Sequence, residues 1–376
     1  MDEKAISIMK NNWFAIQNVD AVDTPFLAVY PERVKANIRA LKQIIPDLDR
    51  LRPHVKTNKC MQAMSLMIEA GIFKFKCATV AEAEMLALTG APDVLLAYQP
   101  VGPKIERFAN LVTNYPVTHF SCLVDNYETA SEIAAAAMKK NIVIPVYIDL
   151  NVGMNRTGIA PSSAFELYKA TVSMAGIKLA GLHAYDGHIT EIDYESRNLE
   201  CMQGTAMVEQ LNNQIVKNGL TRLPLNTGST PTLKIHAGDL DAECSPGTFI
   251  YWDQSYQERY AELPFNAAML IITRVISKPG GDTFCLDLGY KGISSEDVLN
   301  RRVCFLNVPG VEIISQSEEH MLIKINSDYN LLIGDVLYGI PYHIGRTCNL
   351  YQSCLTVHNH RIYGQWTHFT GRKITI

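Results

Sequence analysis

The 376-residue chain has no Cys-x-x-Cys pair among its nine cysteines, no apolar run long enough to cross a bilayer and no basic patch of the nucleic-acid-binding type. Each absence excludes a class of protein. Scattered, unpaired cysteines read as free thiols in a reducing compartment, not as a disulfide framework. A membrane helix needs about 18 or more consecutive apolar residues, and none occur. The start Met1-Asp2-Glu3-Lys4-Ala5-Ile6 carries acids and does not look like a signal peptide, so the cytoplasm is the expected location and no membrane partner is expected. Lysines and arginines are dispersed and the formal charge is -4, which argues against nucleic acid as a partner. What is present is an ordinary globular composition with 47% hydrophobic residues. The length exceeds the roughly 250 to 300 residues at which single cores stop growing, so two domains are expected.

Short apolar runs alternate with helix-period segments through the first two thirds of the chain. Phe26 to Tyr30 reads as a strand and Pro31 to Ile45 as a helix, with proline at its first position. Strands are then expected near Leu51 to Lys56, Phe75 to Val80, Val94 to Tyr98, His119 to Val124, Ile142 to Leu150, Leu179 to Tyr185, Leu223 to Gly228 and Ser245 to Ile250. Eight alternating units imply parallel pairing and a closed (β/α)8 TIM barrel, an α/β fold of about 250 residues, with a doubly wound open sheet as the alternative. Beyond about Leu263 the β-type runs are separated by Gly, Pro, Asn and Asp with little helical period between them. The expected organisation is a barrel over residues 24–260 and a mostly antiparallel β domain over 261–376, possibly joined by residues 1–23.

A barrel demands that chemistry collect at the carboxyl ends of its strands. Lys56 ends the first expected strand, in Arg52-Pro53-His54-Val55-Lys56-Thr57-Asn58-Lys59. A lysine crowded by cations or buried has a lowered pKa, and its free amine can form a Schiff base with an aldehyde; a solvated basic turn is the plain alternative. After the seventh strand, Asn226-Thr227-Gly228-Ser229-Thr230-Pro231-Thr232 sets glycine among hydroxyl side chains before a helix start. Backbone N–H groups and hydroxyls there suit a phosphate, although a Ser/Thr helix cap explains the same residues. Phosphate plus a strand-end lysine points to pyridoxal 5′-phosphate.

Those segments, with Ala78-Thr79-Val80-Ala81-Glu82-Ala83-Glu84, Asn151 to Gly158, Ala184-Tyr185-Asp186-Gly187-His188, Ser245-Pro246-Gly247 and Ser317-Glu318-Glu319-His320, resemble the ordered motifs of the D-threonine aldolase and D-serine dehydratase family. That family belongs to the alanine-racemase-like, fold-type III group of pyridoxal-phosphate enzymes. The resemblance runs from about Thr24 to His343. It implies that Lys56 is the Schiff-base residue, with Lys59 as its neighbour. Arg156 would reach the cofactor's phenolic oxygen or the substrate carboxylate, Tyr185 would contact the ring, and Gly228, Ser229, Thr230, Gly247 and Thr248 would hold the phosphate. A D-amino acid substrate and a homodimer follow, in which His343 and His320 of one subunit cover the barrel mouth of the other.

Three departures separate the activities of the family. Ser245 stands where racemases of this fold carry an arginine against the pyridine nitrogen, which weakens a racemase reading. Pro341-Tyr342-His343-Ile344-Gly345 keeps the histidine that in relatives binds a divalent metal (Mn, Mg or Zn) but puts glycine at its partner position; Cys348 and Asn349 are nearby. Glu191 occupies the spacing of the aldolase acid/base histidine, which leaves His188 for that task, since an imidazole titrates near neutrality. The implied reaction is retro-aldol cleavage of a D-3-hydroxy amino acid to glycine and an aldehyde. Dehydration of D-serine or D-3-hydroxyaspartate, racemisation, and cofactor binding without turnover are the alternatives.

Overall fold

A computed structural model describes residues 12–239, 241–325 and 329–376. It divides into two compact units, one of Leu41–Gly247 with Gly371–Ile376, the other of Met1–Ala40 with Thr248–Thr370. Strand β1 (Phe26–Val29) and most of helix α1 (Pro31–Ile44), at the start of the expected barrel segment, fall in the second of these. All four β1 residues are buried, and they pair with residues 269–272 on one side and 355–356 on the other. A strand apolar on both faces has to be sandwiched.

In the first unit β2 (Lys74–Cys77), β3 (Asp93–Leu96), β4 (His119–Val124), β5 (Ile144–Asp149), β6 (Ile177–Ala184), β7 (Leu225–Thr227) and β8 (Ala242–Cys244) pair in parallel in chain order. The two edges meet through the stretch between Leu51 and His54, which bridges Cys244 on one side and Lys76 on the other. The Arg52 amide donates to Cys244 at 2.9 Å and the Lys76 amide to Pro53 at 2.9 Å, so the ring closes on a segment too short to be a regular strand. The (β/α)8 expectation holds with that eighth stave. The last expected strand is displaced: pairing ends at Cys244, and Ser245 to Gly247 continue as a loop before the 3-10 turn Thr248–Ile250. Proline at 246 has no N–H for a ladder, which accounts for the early stop.

Helices α2 (Met61–Glu69), α3 (Val80–Leu88), α4 (Pro103–Asn114), α5 (Tyr127–Lys139), α6 (Ala164–Val172), α7 (Tyr194–Lys217) and α8 (Leu233–Ala237) follow the strands. Their starts are capped as the side chains dictate. The Thr79 hydroxyl accepts from the Glu82 amide at 3.1 Å while the Glu82 carboxylate accepts from the Ala78 amide at 2.7 Å, and Asn126 and Asp193 cap α5 and α7. At the amino ends of the strands Arg52, 1% exposed, pairs with Glu243 at 2.7 Å and with Asp93, and Lys74 reaches Glu243 at 2.7 Å. Burial opposes the Glu243 charge, yet Arg52 and Lys74 hold its carboxyl below the ordinary range.

In the second unit β9 (Met269–Gly280), β10 (Thr283–Leu286), β11 (Val303–Phe305), β12 (Glu312–Gln316), β13 (Met321–Lys324), β14 (Val336–Pro341), β15 (Ser353–His358) and β16 (Arg361–Thr367), with short helices α9 (Gln254–Arg259) and α10 (Ile344–Cys348), build a nine-stranded sheet with β1. Its pairings are antiparallel except β1 with β15. Its core gathers Phe14, Phe26, Tyr30, Leu270, Ile272 and Tyr338. Among the described residues no helix is long and apolar enough to cross a membrane.

Candidate active site at the barrel mouth

The stretch from Leu51 to Val55 is buried, and its last turn, Val55–Thr57, turns Lys56 outward into an exposed position. The Lys56 amide donates to His54 Nδ1 at 3.2 Å, which fixes the turn. Lys59 instead sits partly buried with its ammonium 3.7 Å from the Glu82 carboxylate, so the two lysines of the octapeptide have different fates. Lys56 Nζ lies 5.4 Å from the centre of the Tyr185 ring.

Tyr185 follows β6, and its ring folds back over Gly187: a Cβ there would stand 2.2 Å from the ring. Only glycine permits that approach. Arg156 comes from the loop after β5, closed by the Leu150–Ile159 bridge and by Asn151, which accepts from the Gly153 and Asn155 amides. Its guanidinium carbon is 5.2 Å from the same ring, and among the described residues it makes no ion pair. His188 is exposed, with its ring packed against Gly153 of that loop; a Cβ on Gly153 would lie 2.6 Å from His188 Nε2. His188 thus stands beside the loop that carries Arg156.

After β7, Gly228 takes φ +81° and the Ser229 amide donates to Thr232 Oγ1 at 2.9 Å. The Gly247 amide donates to Thr230 Oγ1 at 3.0 Å, tying the loop after β8 to the loop after β7. A Cβ on Gly247 would meet the His54 carbonyl at 3.0 Å, so this glycine also lets the lysine turn close against the hydroxyl loop. The helix expected to follow, α8, has only five residues, so backbone amides and hydroxyls carry this site more than a helix dipole does. Thr248 falls in the second unit, at the start of its 3-10 turn.

Sequence reasoning missed the residues inside the barrel. Lys76, on β2, is 2% exposed, donates to Asn226 Oδ1 at 3.1 Å and has its ammonium 5.5 Å from the Tyr185 ring centre. Burial and then the charge of Lys56 bring its pKa down to about 7. Asn226 in turn bonds Ser245 at 3.0 Å. His183 Nδ1 meets the Asp149 carboxylate at 2.6 Å, and its Nε2 has no partner among the described residues. Burial and Lys76 keep His183 below its ordinary pKa; for Asp149, burial opposes the charge but His183 and Lys76 hold it below the usual carboxylate range. Nδ1 therefore carries the hydrogen and Nε2 a bare lone pair. Asp186 is buried against His236 at 2.7 Å and anchors the turn that carries Tyr185. The signal was present in Lys74-Phe75-Lys76-Cys77, where alternation puts Phe75 and Cys77 on the face opposite Lys76.

Lys56, Lys76 and Arg156 surround one aromatic ring next to a hydroxyl-lined loop. A flat molecule with an aldehyde and a phosphate matches this donor set: an amine for the aldehyde, a ring to lie against, amides and hydroxyls for the phosphate. The turn at His343 fits a divalent metal poorly. His343 caps α10, its Nδ1 accepts from the Arg346 amide at 3.3 Å, and Gly345 inside the helix offers no ligand. Cys348 is buried with its sulfur 3.4 Å from that of Met269, and among the described residues His343 belongs to no cluster of three ligating side chains. His320 closes the turn between β12 and β13.

Comparison with known proteins agrees with this geometry. The chain matches the model of the alanine racemase N-terminal domain over residues 29–255 and that of a serine dehydratase domain over 268–357. It is 25% identical over 352 residues to a D-threonine aldolase of Arthrobacter sp, covering 92% of each chain. To a D-threo-3-hydroxyaspartate dehydratase of Delftia sp. (strain HT23) it is 24% identical over 80% of its own length and 83% of the relative. The solved D-threonine aldolase of Filomicrobium marinum superposes with a TM-score of 0.86 at 23% identity, over 96% of this chain and 98% of that one. With a family match across most of the barrel, the chain belongs to the alanine racemase N-terminal domain family of pyridoxal-phosphate enzymes.

Proposed function

We propose that the protein is a pyridoxal-phosphate-dependent lyase that cleaves a D-3-hydroxy amino acid into glycine and an aldehyde. The observation that carries this reading is the meeting of Lys56 and Arg156 on the Tyr185 ring, beside the Ser229–Thr230 loop and Gly247. Relatives acting on D-threonine and on 3-hydroxy-D-aspartate support the substrate class.

Bound at this mouth, pyridoxal phosphate supplies an electron sink for bond cleavage at the substrate's Cα. Lys56 would supply the amine that holds the cofactor. Ser229, Thr230 and Gly247 would bind the phosphate, with Gly228 shaping the turn, and the Tyr185 ring would support the flat face. Arg156, whose planar fork suits two oxygens, orients the substrate carboxylate. The imidazole of His188 would take the proton from the β-hydroxyl as the Cα–Cβ bond breaks, the O–H pair becoming the aldehyde's C=O and the Cα–Cβ pair passing to the sink; the proton held on His188, returned to Cα, would complete glycine. No step runs through a metal at His343.

The test supplies purified protein with pyridoxal phosphate and a panel of D-3-hydroxy amino acids. Aldehyde and glycine in equal amounts support the reading. A keto acid and ammonia without glycine would establish the dehydratase reading, which the Delftia relative supports. D/L interconversion alone would establish a racemase, and cofactor binding with no product a protein without turnover. We further propose a homodimer and a cytoplasmic location, on the family resemblance and the unpaired cysteines respectively.

A further inference from the structure

We propose that Lys76 is a second cationic residue of the cofactor site: it stays unreacted inside the barrel, takes up a proton when the anionic cofactor binds, and holds that proton against the cofactor's negative charge. The inference rests on the pyridoxal-phosphate reading and adds to it a residue that the motifs do not mark.

The geometry separates the two lysines. Lys56 stands exposed at the mouth, whereas Lys76 crosses the interior from β2 to β7 and is held there by Asn226, itself bonded to Ser245. A side chain fixed at both ends is poorly placed to swing out and attack an aldehyde. Its ammonium approaches the Tyr185 ring to 5.5 Å, so any flat anion resting on that ring comes within reach of its field.

The groups facing Lys76 make its charge conditional. Lys56 and Arg52 repel it from the closing segment, and Asp149 at the end of β5 and Asp186 after β6 attract it. His54 and His183 add neutral rings from the closing segment and β6, since burial holds both below their ordinary pKa. Asp149 and Asp186 are each already paired with a histidine. With its pKa near 7, the amine is only partly charged at neutral pH, and a neighbouring phosphate and phenolate would shift the balance toward the charged form.

The probe is 4-deoxypyridoxine 5′-phosphate, which keeps ring and phosphate but has no aldehyde, so Lys56 chemistry does not enter. Its affinity is measured from about pH 6 to pH 9 for wild type, Lys76→Met and Lys76→Arg. Each unit by which binding raises the Lys76 pKa contributes about tenfold in affinity below the free-state pKa, and that gain fades as pH rises through the pKa of the complex. Wild type is expected to bind about tenfold or more tightly than Lys76→Met near pH 6.5, with the gap closing toward pH 9; Lys76→Arg keeps the tight binding across the range. A wild-type to Lys76→Met ratio that stays flat with pH overturns the inference while leaving the lyase reading in place. Failure of wild type to bind the probe at all overturns the cofactor reading and the inference together. Should Lys76→Met not fold, calorimetry of wild type and Lys76→Arg in two buffers of different ionisation enthalpy decides: extra proton uptake by wild type supports the role, equal uptake refutes it.

Discussion

At the barrel mouth, side chains from the closing segment, β2 and the loop after β5 leave their own turns to meet on the ring of Tyr185. Around His343 the reverse holds: its Nδ1 is taken by the amide three residues on, Gly345 contributes nothing, and Cys348 is buried beside Met269. One region has polar groups aimed at a common point; the other has absorbed its candidate ligands into a helix cap. A binding site differs from a capped turn in this way, because groups satisfied locally have little left to offer a ligand.

The contrast can be broken from the mouth side first. Lys56→Ala should abolish covalent attachment of the cofactor and lower kcat/KM by about 10³-fold or more, whereas Lys59→Ala, which removes the ion pair to Glu82, should keep attachment; mass spectrometry after reduction checks both. Gly187→Ala comes next. Its methyl collides with the Tyr185 ring, so the ring must leave its place, with an expected loss of about 1–3 kcal/mol in unfolding free energy and a drop of about tenfold or more in activity.

Acid should weaken the fold more steeply than a generic enzyme of this charge. His54 and His183 are buried with pKa values held below the imidazole norm, so the unfolded chain binds their protons first as pH falls. Stability is therefore complete above an unfolded pKa near 6.5 and declines below it, by about 1.4 kcal/mol per pH unit for each group, until the folded pKa is reached. Denaturant titrations at pH 7.5 and pH 5.5 measure the slope, and His183→Gln should reduce it. The smallest effect belongs to the other region: His343→Ala, or chelation, should change kcat/KM by less than about threefold, and a much larger loss would place a metal there after all.

Much of the barrel was legible because strands such as β3 to β6 lie in apolar runs closed by polar or glycine residues, a purely local signal. The closing segment shows the limit. Leu51 to Lys56 reads as a strand in the sequence, yet Leu51 to His54 makes only single bridges to its neighbours and Val55–Thr57 forms a 3-10 turn, since Pro53 and that turn interrupt any ladder. Lys56, Arg156 and Tyr185 converge at the mouth from the ends of different staves. Lys76 and the His183–Asp149 pair lay hidden for a different reason. Each sits inside a strand or at its tip, and its partner comes from another stave, so only the closed ring brings them together. β16 and β11 carry little sequence signal, one being largely exposed and the other only three residues long.

The central claim, that the barrel mouth holds pyridoxal phosphate through Lys56, is tested most directly by incubating the protein with the cofactor, reducing with borohydride and mapping the modified peptide. One phosphopyridoxyl group per chain, on Lys56, is expected. Modification of Lys76 or Lys59 instead, or of no lysine at all, would contradict it.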